Sequence, residues 1–402
     1  MNNVNLENIS DLQKTLLTQI AYLNINDEGR RKIEEEGLVV FELYSYLENP
    51  DNMFVIDDSV SQDVTELISD NVLGDNGYIT HKQLLDSIVN NGLGNLLITD
   101  VSERKNGVLS SGFQALTFVD SYGNHGISYR GSDFNFSAGA VRDWLEADVL
   151  EYFTGSSAQI REACDYFEEN KNSNGNNFIY GHSLGGNLTS HVYLNNYEEI
   201  REAFTMNGNP INQILLDTPE KVAAFNDPEK FHCNIVGGDI VGHFKSTKVY
   251  GNNVKYIQNN SMFVNSPIGA HLVQSASFDE NGNFIYIDEE EMKKEMGVGY
   301  RALMNFSKMI RELLNIMEKS ITKQDYKILF EVYKKQLLTY FEQLKEHFKD
   351  CEYLLDSNVM IDNLIESNQL FDDDLQEFVS MFERYLENNK INIEDVESKV
   401  LI

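Results

Sequence analysis

Apolar side chains recur every three or four positions through the last hundred residues, and no glycine or proline follows Gly299. This spacing keeps one side of a helix apolar, and the absence of helix-breaking residues favours uninterrupted helices. We therefore predict an all-helical C-terminal domain over residues 291–402. Its apolar face either packs within the domain or docks a helical partner protein, and the pattern leaves both open. The clearest apolar run is Tyr326, Phe330, Tyr333, Leu337, Tyr340, Leu344 and Phe348.

The first hundred residues also show mainly helical spacing. The pattern predicts helices near residues 8–24, 28–48 and 62–73. We expect residues 1–100 to form a mainly helical extension that packs on the domain that follows.

Residues 101–290 have a different pattern, in which short apolar segments alternate with helical ones. Strands interleaved with helices are typical of an α/β domain. We predict a mostly parallel sheet flanked by helices, with a helix over 141–170 and another from about residue 187. The predicted strands lie at 113–119, 126–129, 178–180, 204–206, 232–236 and 254–257, followed by a hairpin at 277–287.

Charge narrows the possible functions. The 402 residues include 32 lysines and arginines against 64 aspartates and glutamates, which gives a formal net charge of −32. A surface this acidic repels phosphate groups, so we expect no nucleic-acid partner. The sequence contains no run of about eighteen apolar residues, so we expect no integral membrane segment.

The three cysteines lie far apart, without histidines at metal-ligand spacing. We therefore expect no metal, and no organic cofactor is indicated. The N-terminus has no basic patch ahead of an apolar core, so no classical secretory signal is predicted. We expect synthesis in the cytoplasm, with export by a signal-peptide-independent route left open.

One segment, GHSLGG, combines the pattern G-x-S-x-G with an apolar strand before it and a helix after it. This context is typical of a nucleophile elbow, a sharp turn that presents a serine hydroxyl. The elbow explains why Gly181 and Gly185 are glycines. A side chain two residues before or after Ser183 would collide with its surroundings where the strand and the helix approach each other. The elbow predicts Ser183 as a nucleophile and the backbone N–H of Leu184 as an oxyanion donor.

A nucleophilic serine requires a histidine base and a carboxylate that orients the base. In the α/β-hydrolase arrangement the acid and then the base follow the serine along the chain, each after a strand. Asp239 follows one predicted strand and His271 lies beyond the next, so we predict Asp239 as the acid and His271 as the base. The alternative pairs His243 with Asp217 or Asp227.

The sequence contains YRGSD at 129–133, DWLEAD at 143–148, GHSLGGN at 181–187, GGDIVG at 237–242, and the late histidine His271. These five features resemble the class 3 lipases and related bacterial lipase-like proteins, over roughly residues 105–285. The resemblance implies an α/β-hydrolase core between the N-terminal helical extension and the C-terminal helical domain. It maps the nucleophile, acid and base to Ser183, Asp239 and His271.

The same resemblance assigns the oxyanion hole and a flap. The backbone N–H groups of Ser132 and Leu184 would bind the oxyanion. Phe134 and Phe136 fall in the lid region of the family, where they fit either a mobile apolar flap over an acyl pocket or an ordinary buried loop. The sequence departs from the family at Ile240, where a proline often follows the acid, and in the short stretch between the acid and the base.

The residues predict a serine carboxylic-ester hydrolase whose substrate is an ester with an apolar acyl group. The resemblance implies a lipase or phospholipase whose substrate is an acyl lipid. One alternative is an exported lipolytic toxin whose C-terminal helical domain binds helical partners or export machinery. The other is a binding scaffold with the hydrolase fold and weak activity.

Overall fold

The computed structural model describes most of the first 291 residues of the chain. The described residues are 3–51, 80–102, 113–130, 158–174, 176–208, 211, 215–216, 218–239, 253–259 and 270–291. Several predictions lie outside them: the helix at 62–73, Ser132, Phe134, Phe136 and the helical domain at 291–402, of which only its first residue is described.

The described residues contain a nine-stranded mixed sheet in which spatial order follows chain order. The five strands β4 to β8 are parallel, and the remaining neighbours pair antiparallel. The prediction of an α/β domain is therefore confirmed. The strands are β1 Leu38–Val39, β2 Leu97–Val101, β3 Ala115–Val119, β4 His125–Tyr129, β5 Asn177–His182, β6 Ile200–Met206, β7 Phe231–Val236, β8 Val254–Ile257 and β9 Tyr286–Ile287.

Six α-helices flank this sheet within the described residues. Side-chain caps fix where several of them begin: the Ser10 hydroxyl accepts from the Gln13 N–H, and the Thr80 hydroxyl accepts from the Gln83 N–H. Each cap satisfies an N–H that the first helical turn leaves unpaired. The helices are α1 Asp11–Gln19, α2 Asp27–Glu36, α3 His81–Ile88, α4 Ala158–Asn170, α5 Leu184–Asn196 and α6 Pro219–Phe225.

The two faces of the sheet are covered by different parts of the chain. Side chains alternate along β5, so Ile179 packs with residues of α4 and α5, whereas Phe178 and Tyr180 pack with residues of α1. Strands added in chain order with right-handed crossovers place the connecting helices on one face. The N-terminal segment covers the face that those helices leave open.

The N-terminal hundred residues differ from their prediction. The helix predicted over 28–48 ends at Glu36, because Gly37 adopts a left-handed conformation with φ of 77°. The chain then forms β1 and a 3-10 helix over Val40–Ser45. Strand β2, which the sequence did not predict, pairs with both β1 and β3. Part of the N-terminal region thus belongs to the sheet itself.

None of the helices in the described part of the chain is long and apolar enough to cross a bilayer.

Candidate active site

Three polar side chains converge beyond the carboxyl ends of the parallel strands. Ser183 directly follows β5, Asp239 follows β7, and His271 lies in the segment after β8. Carboxyl ends of parallel strands share one edge of a sheet, and ligand sites of open α/β sheets lie there. The chain order of these residues therefore places them at one site although 88 positions separate the first from the last.

The three side chains form a continuous hydrogen-bonded chain. The His271 Nδ1 atom lies 2.8 Å from Asp239 Oδ1, and the Nε2 atom lies 2.9 Å from Ser183 Oγ. All three residues are buried. Because a carboxylate only accepts hydrogen bonds, Nδ1 carries the imidazole proton. Nε2 then accepts the hydrogen bond from the serine hydroxyl.

The backbone at Ser183 is strained as a nucleophile elbow requires. Its φ and ψ are 57° and −130°, a region that non-glycine residues rarely adopt. A β-carbon at Gly181 would collide with the carbonyl oxygen of Gly185 and the side chain of Thr189. A β-carbon at Gly186 would lie 2.8 Å from the α-carbon of Gly208. Glycine at 181 and 186 thus allows helix α5 to start directly against the sheet.

The first residue of helix α5 is Leu184, beside Ser183. Its backbone N–H belongs to the first turn, which has no acceptors within the helix and carries the positive end of the helix dipole. This group has the chemistry of an oxyanion donor. The second predicted donor, Ser132, and the predicted flap residues Phe134 and Phe136 lie outside the described residues.

His182 contributes to the site in a way that the sequence did not reveal. In the structure its ring centroid lies 4.9 Å from that of His271, and its Nε2 atom donates to the His271 carbonyl oxygen at 2.8 Å. Burial, reinforced by the neighbouring imidazole of His271, lowers the pKa of His182 to about 3. His182 is therefore a neutral donor that holds the backbone of the candidate base.

We expect this buried neutral histidine to make stability sensitive to acid. In the unfolded chain His182 has its ordinary pKa of 6.5, so it becomes protonated below that pH. In the folded protein His182 stays neutral down to about pH 3. The free energy of unfolding should therefore fall as pH decreases through this window. His182→Gln keeps an N–H donor that does not titrate.

Urea unfolding midpoints at pH 7 and pH 5 measure the effect. The midpoint should decrease less in His182→Gln than in the wild type. His232, whose pKa burial lowers to about 4, adds the same acid sensitivity to both proteins and leaves the difference intact. Equal decreases in the two proteins would contradict the assignment.

The alternative acid and base do not form a second site in the described residues. Asp227 lies four residues before β7 begins, at the opposite edge of the sheet, where its carboxylate accepts from the Glu229 N–H at 3.0 Å. Asp217 and His243 lie outside the described residues. Nor does any group of three histidine, cysteine, aspartate or glutamate side chains in the described chain suit a metal ion.

The fold and the site define an α/β protein with a buried Ser–His–Asp triad at the carboxyl edge of its sheet. Residues 89–294, just over half of the chain, match the profile of the family described as Mbeg1-like, and the chain belongs to that family. The matched region contains all three residues of the triad. No curated protein and no solved structure matches the chain.

Proposed function

We propose that this protein is a serine hydrolase of carboxylic esters, a lipase-like enzyme of the α/β-hydrolase class. The observation that carries the proposal is the hydrogen-bonded chain from Asp239 through His271 to Ser183, with the serine on a strained strand-to-helix turn. Nucleophile, base and orienting carboxylate in this geometry are the constellation of acyl-transfer enzymes. The chain order serine, aspartate, histidine, each after a parallel strand, supports the α/β-hydrolase class.

In the first half of the proposed cycle an ester acylates the serine. Ser183 Oγ attacks the ester carbonyl carbon while its proton moves to His271 Nε2. Asp239 keeps Nδ1 protonated and stabilises the imidazolium that forms. The carbonyl oxygen becomes negative and accepts from the Leu184 N–H, with the Ser132 N–H as the predicted second donor. The imidazolium then gives its proton to the departing alcohol.

Water completes the cycle by the same steps in reverse. His271 takes a proton from water, the resulting hydroxide attacks the acyl carbon, and the carboxylic acid leaves Ser183 Oγ as the oxygen regains its proton. Every proton moves between substrate, water, Ser183 and His271, so the proposal invokes no cofactor.

The substrate class rests on the resemblance to lipases. It points to acyl lipids, such as glycerolipids or phospholipids, with an apolar acyl group beside the nucleophile. Phe134 and Phe136 remain the predicted apolar contacts for that group. Ser183 and His271 are almost fully buried. An ester therefore reaches them only after a local rearrangement that exposes the site. We therefore expect detergent or a lipid interface to raise the rate.

Two measurements on the purified full chain test this function. Initial rates with p-nitrophenyl esters of increasing acyl length, with and without detergent, should rise with chain length. A fluorophosphonate probe should label one serine, and peptide mass spectrometry should locate the label on Ser183. A label on another serine, or no hydrolysis at any chain length, would count against the proposal.

A further inference from the structure

Asn207, the residue that follows β6, forms hydrogen bonds to the segments that carry two members of the triad. Its Nδ2 atom donates to the carbonyl oxygens of Ala270 at 3.1 Å and His271 at 2.9 Å. Its Oδ1 atom accepts from the Val236 N–H at 2.8 Å, three residues before Asp239. One fully buried amide thus ties the peptide of the base to the strand that leads to the acid.

The backbone of Asn207 connects the same point to the nucleophile. The carbonyl oxygen of the preceding residue, Met206, accepts from the Ser183 N–H at 3.1 Å. The Asn207 N–H donates to the Asn234 carbonyl oxygen at 2.8 Å. Asn207 itself has a φ of 50°, a left-handed conformation that asparagine tolerates better than most residues. This conformation turns the chain at the end of β6.

Two side chains, at the ends of neighbouring parallel strands, donate hydrogen bonds to the His271 carbonyl oxygen. His182 ends β5 and donates at 2.8 Å, and Asn207 follows β6 and donates at 2.9 Å. Ser275 Oγ lies 2.8 Å from the Ala270 carbonyl oxygen, which Asn207 also binds. Because both carbonyl groups have fixed donors, the peptide groups on either side of the His271 α-carbon have little freedom to rotate.

We propose that Asn207 is a positioning residue for His271: its amide fixes the backbone of the base relative to Ser183 and Asp239. The inference rests on the proposed hydrolase function for its kinetic test, but not for its spectroscopic one. Asn207 touches neither the serine hydroxyl nor the imidazole ring atoms in the described contacts. It acts through the peptide that carries the imidazole.

A misplaced base has a recognisable kinetic signature. His271 must take the serine proton and then deliver it to the leaving oxygen. An alkoxide leaving group needs that proton, whereas p-nitrophenolate leaves without it. The ratio of kcat/KM for an ethyl ester to kcat/KM for the p-nitrophenyl ester of the same acid therefore reports how well the base is placed. The ratio does not depend on the folded fraction of the enzyme, so general destabilisation leaves it unchanged.

The chain offers a closely matched control in Asn177. This residue is also buried, its Nδ2 donates to the carbonyl oxygens of Asn172 and Glu199, and its Oδ1 accepts from the Asn172 N–H. It lies at the amino end of β5, across the sheet from the triad. Asn207→Asp and Asn177→Asp each replace a buried side-chain NH₂ group that donates to two backbone carbonyl groups. Only the group in Asn207 donates to the backbone of His271.

We expect Asn207→Asp to lower the leaving-group ratio by about tenfold or more, since a positioned general acid contributes about 10²–10⁴-fold. Asn177→Asp should keep the wild-type ratio even if its melting temperature falls as far. Asn207→Gly is the second variant, because glycine accepts the positive φ and gives a folded protein that lacks the amide. Wild-type ratios in both folded Asn207 variants would overturn the inference.

A second readout is independent of turnover. The Nδ1 proton of His271, shared with Asp239, should give a low-field ¹H NMR signal that disappears in His271→Ala. A shifted signal in Asn207→Gly, with an unshifted one in Asn177→Asp, supports the positioning role. An unshifted signal in Asn207→Gly overturns it. If the wild type hydrolyses no ester, the proposed function fails, and this spectrum still decides the role of Asn207.

Discussion

Replacing either Ser183 or His271 by alanine is expected to lower kcat for ester hydrolysis by about 10⁶-fold, and the double variant should be no slower than either single one. The two groups act as one unit across the 2.9 Å hydrogen bond, because the hydroxyl becomes a nucleophile only when the imidazole takes its proton. Initial rates with the preferred p-nitrophenyl ester, corrected for spontaneous hydrolysis, measure the effect.

The matched control for the serine is Ser190→Ala. Ser190 is buried in helix α5, which begins directly after Ser183, and its hydroxyl donates to the Gly186 carbonyl oxygen rather than to a base. Its loss should leave kcat within a small factor of wild type. Independent, additive losses in Ser183→Ala and His271→Ala would show that the two side chains do not share a proton. Full activity in His271→Ala would revive His243 as the base.

The second large effect is expected for Asp239→Asn, which should lower kcat by about 10⁴-fold. An asparagine amide that donates toward His271 Nδ1 favours the wrong tautomer, in which the proton sits on Nε2 and blocks transfer from the serine. The 2.8 Å contact between Nδ1 and Oδ1 is therefore expected to set the protonation pattern of the ring. The kcat of Asp239→Asn across a range of pH, compared with wild type, measures the loss.

Asp120→Asn is the control for removal of a buried carboxylate. Asp120 is buried, and its carboxylate accepts from the N–H groups of Leu6 and Asn124, away from the triad. We expect this variant to be less stable but to retain its kcat. If Asp239→Asn keeps activity within about tenfold of wild type, another carboxylate orients the base.

The candidate site was predictable where its signal is local. Gly181, the first glycine of the five-residue pattern, follows from the close approach of strand and helix. The second glycine in close contact is Gly186, one residue beyond the pattern. Asp239 and His271 followed from chain order, because successive parallel strands end at one edge. The geometry that links them depends on the folded sheet, and the sequence supplied none of its distances.

His182 and Asn207 were not found as site residues because their signal is not local. Each donates to the His271 carbonyl oxygen across more than sixty positions of sequence. The acceptor is a backbone carbonyl group, which every residue type has, so the sequence at the acceptor position does not indicate these hydrogen bonds. Asn207 precedes a glycine at the end of a strand, which indicates a turn and nothing about its partner.

The fold was predictable in the middle of the chain and less so in its N-terminal part. The central parallel strands β5, β6 and β7 are mostly buried and alternate with helices, so their pattern is clear. Strand β1 has only two residues, too few to establish a period. Strand β2 reads LITDV and only one of its five residues is buried, so its pattern does not stand out beside helical neighbours. Both were therefore absorbed into the predicted helical region.

The cover that the N-terminal segment provides for one sheet face has a consequence for synthesis. Helix α1 leaves the ribosome about 185 residues before Phe204, which belongs to the same apolar cluster. At a translation rate of about 5–20 residues per second, the apolar face of α1 is synthesised roughly 10–40 s before strand β6, which contains Phe204. The nascent chain therefore exposes this apolar face until the strands that cover it have been made, and chaperone binding protects the chain most during that interval.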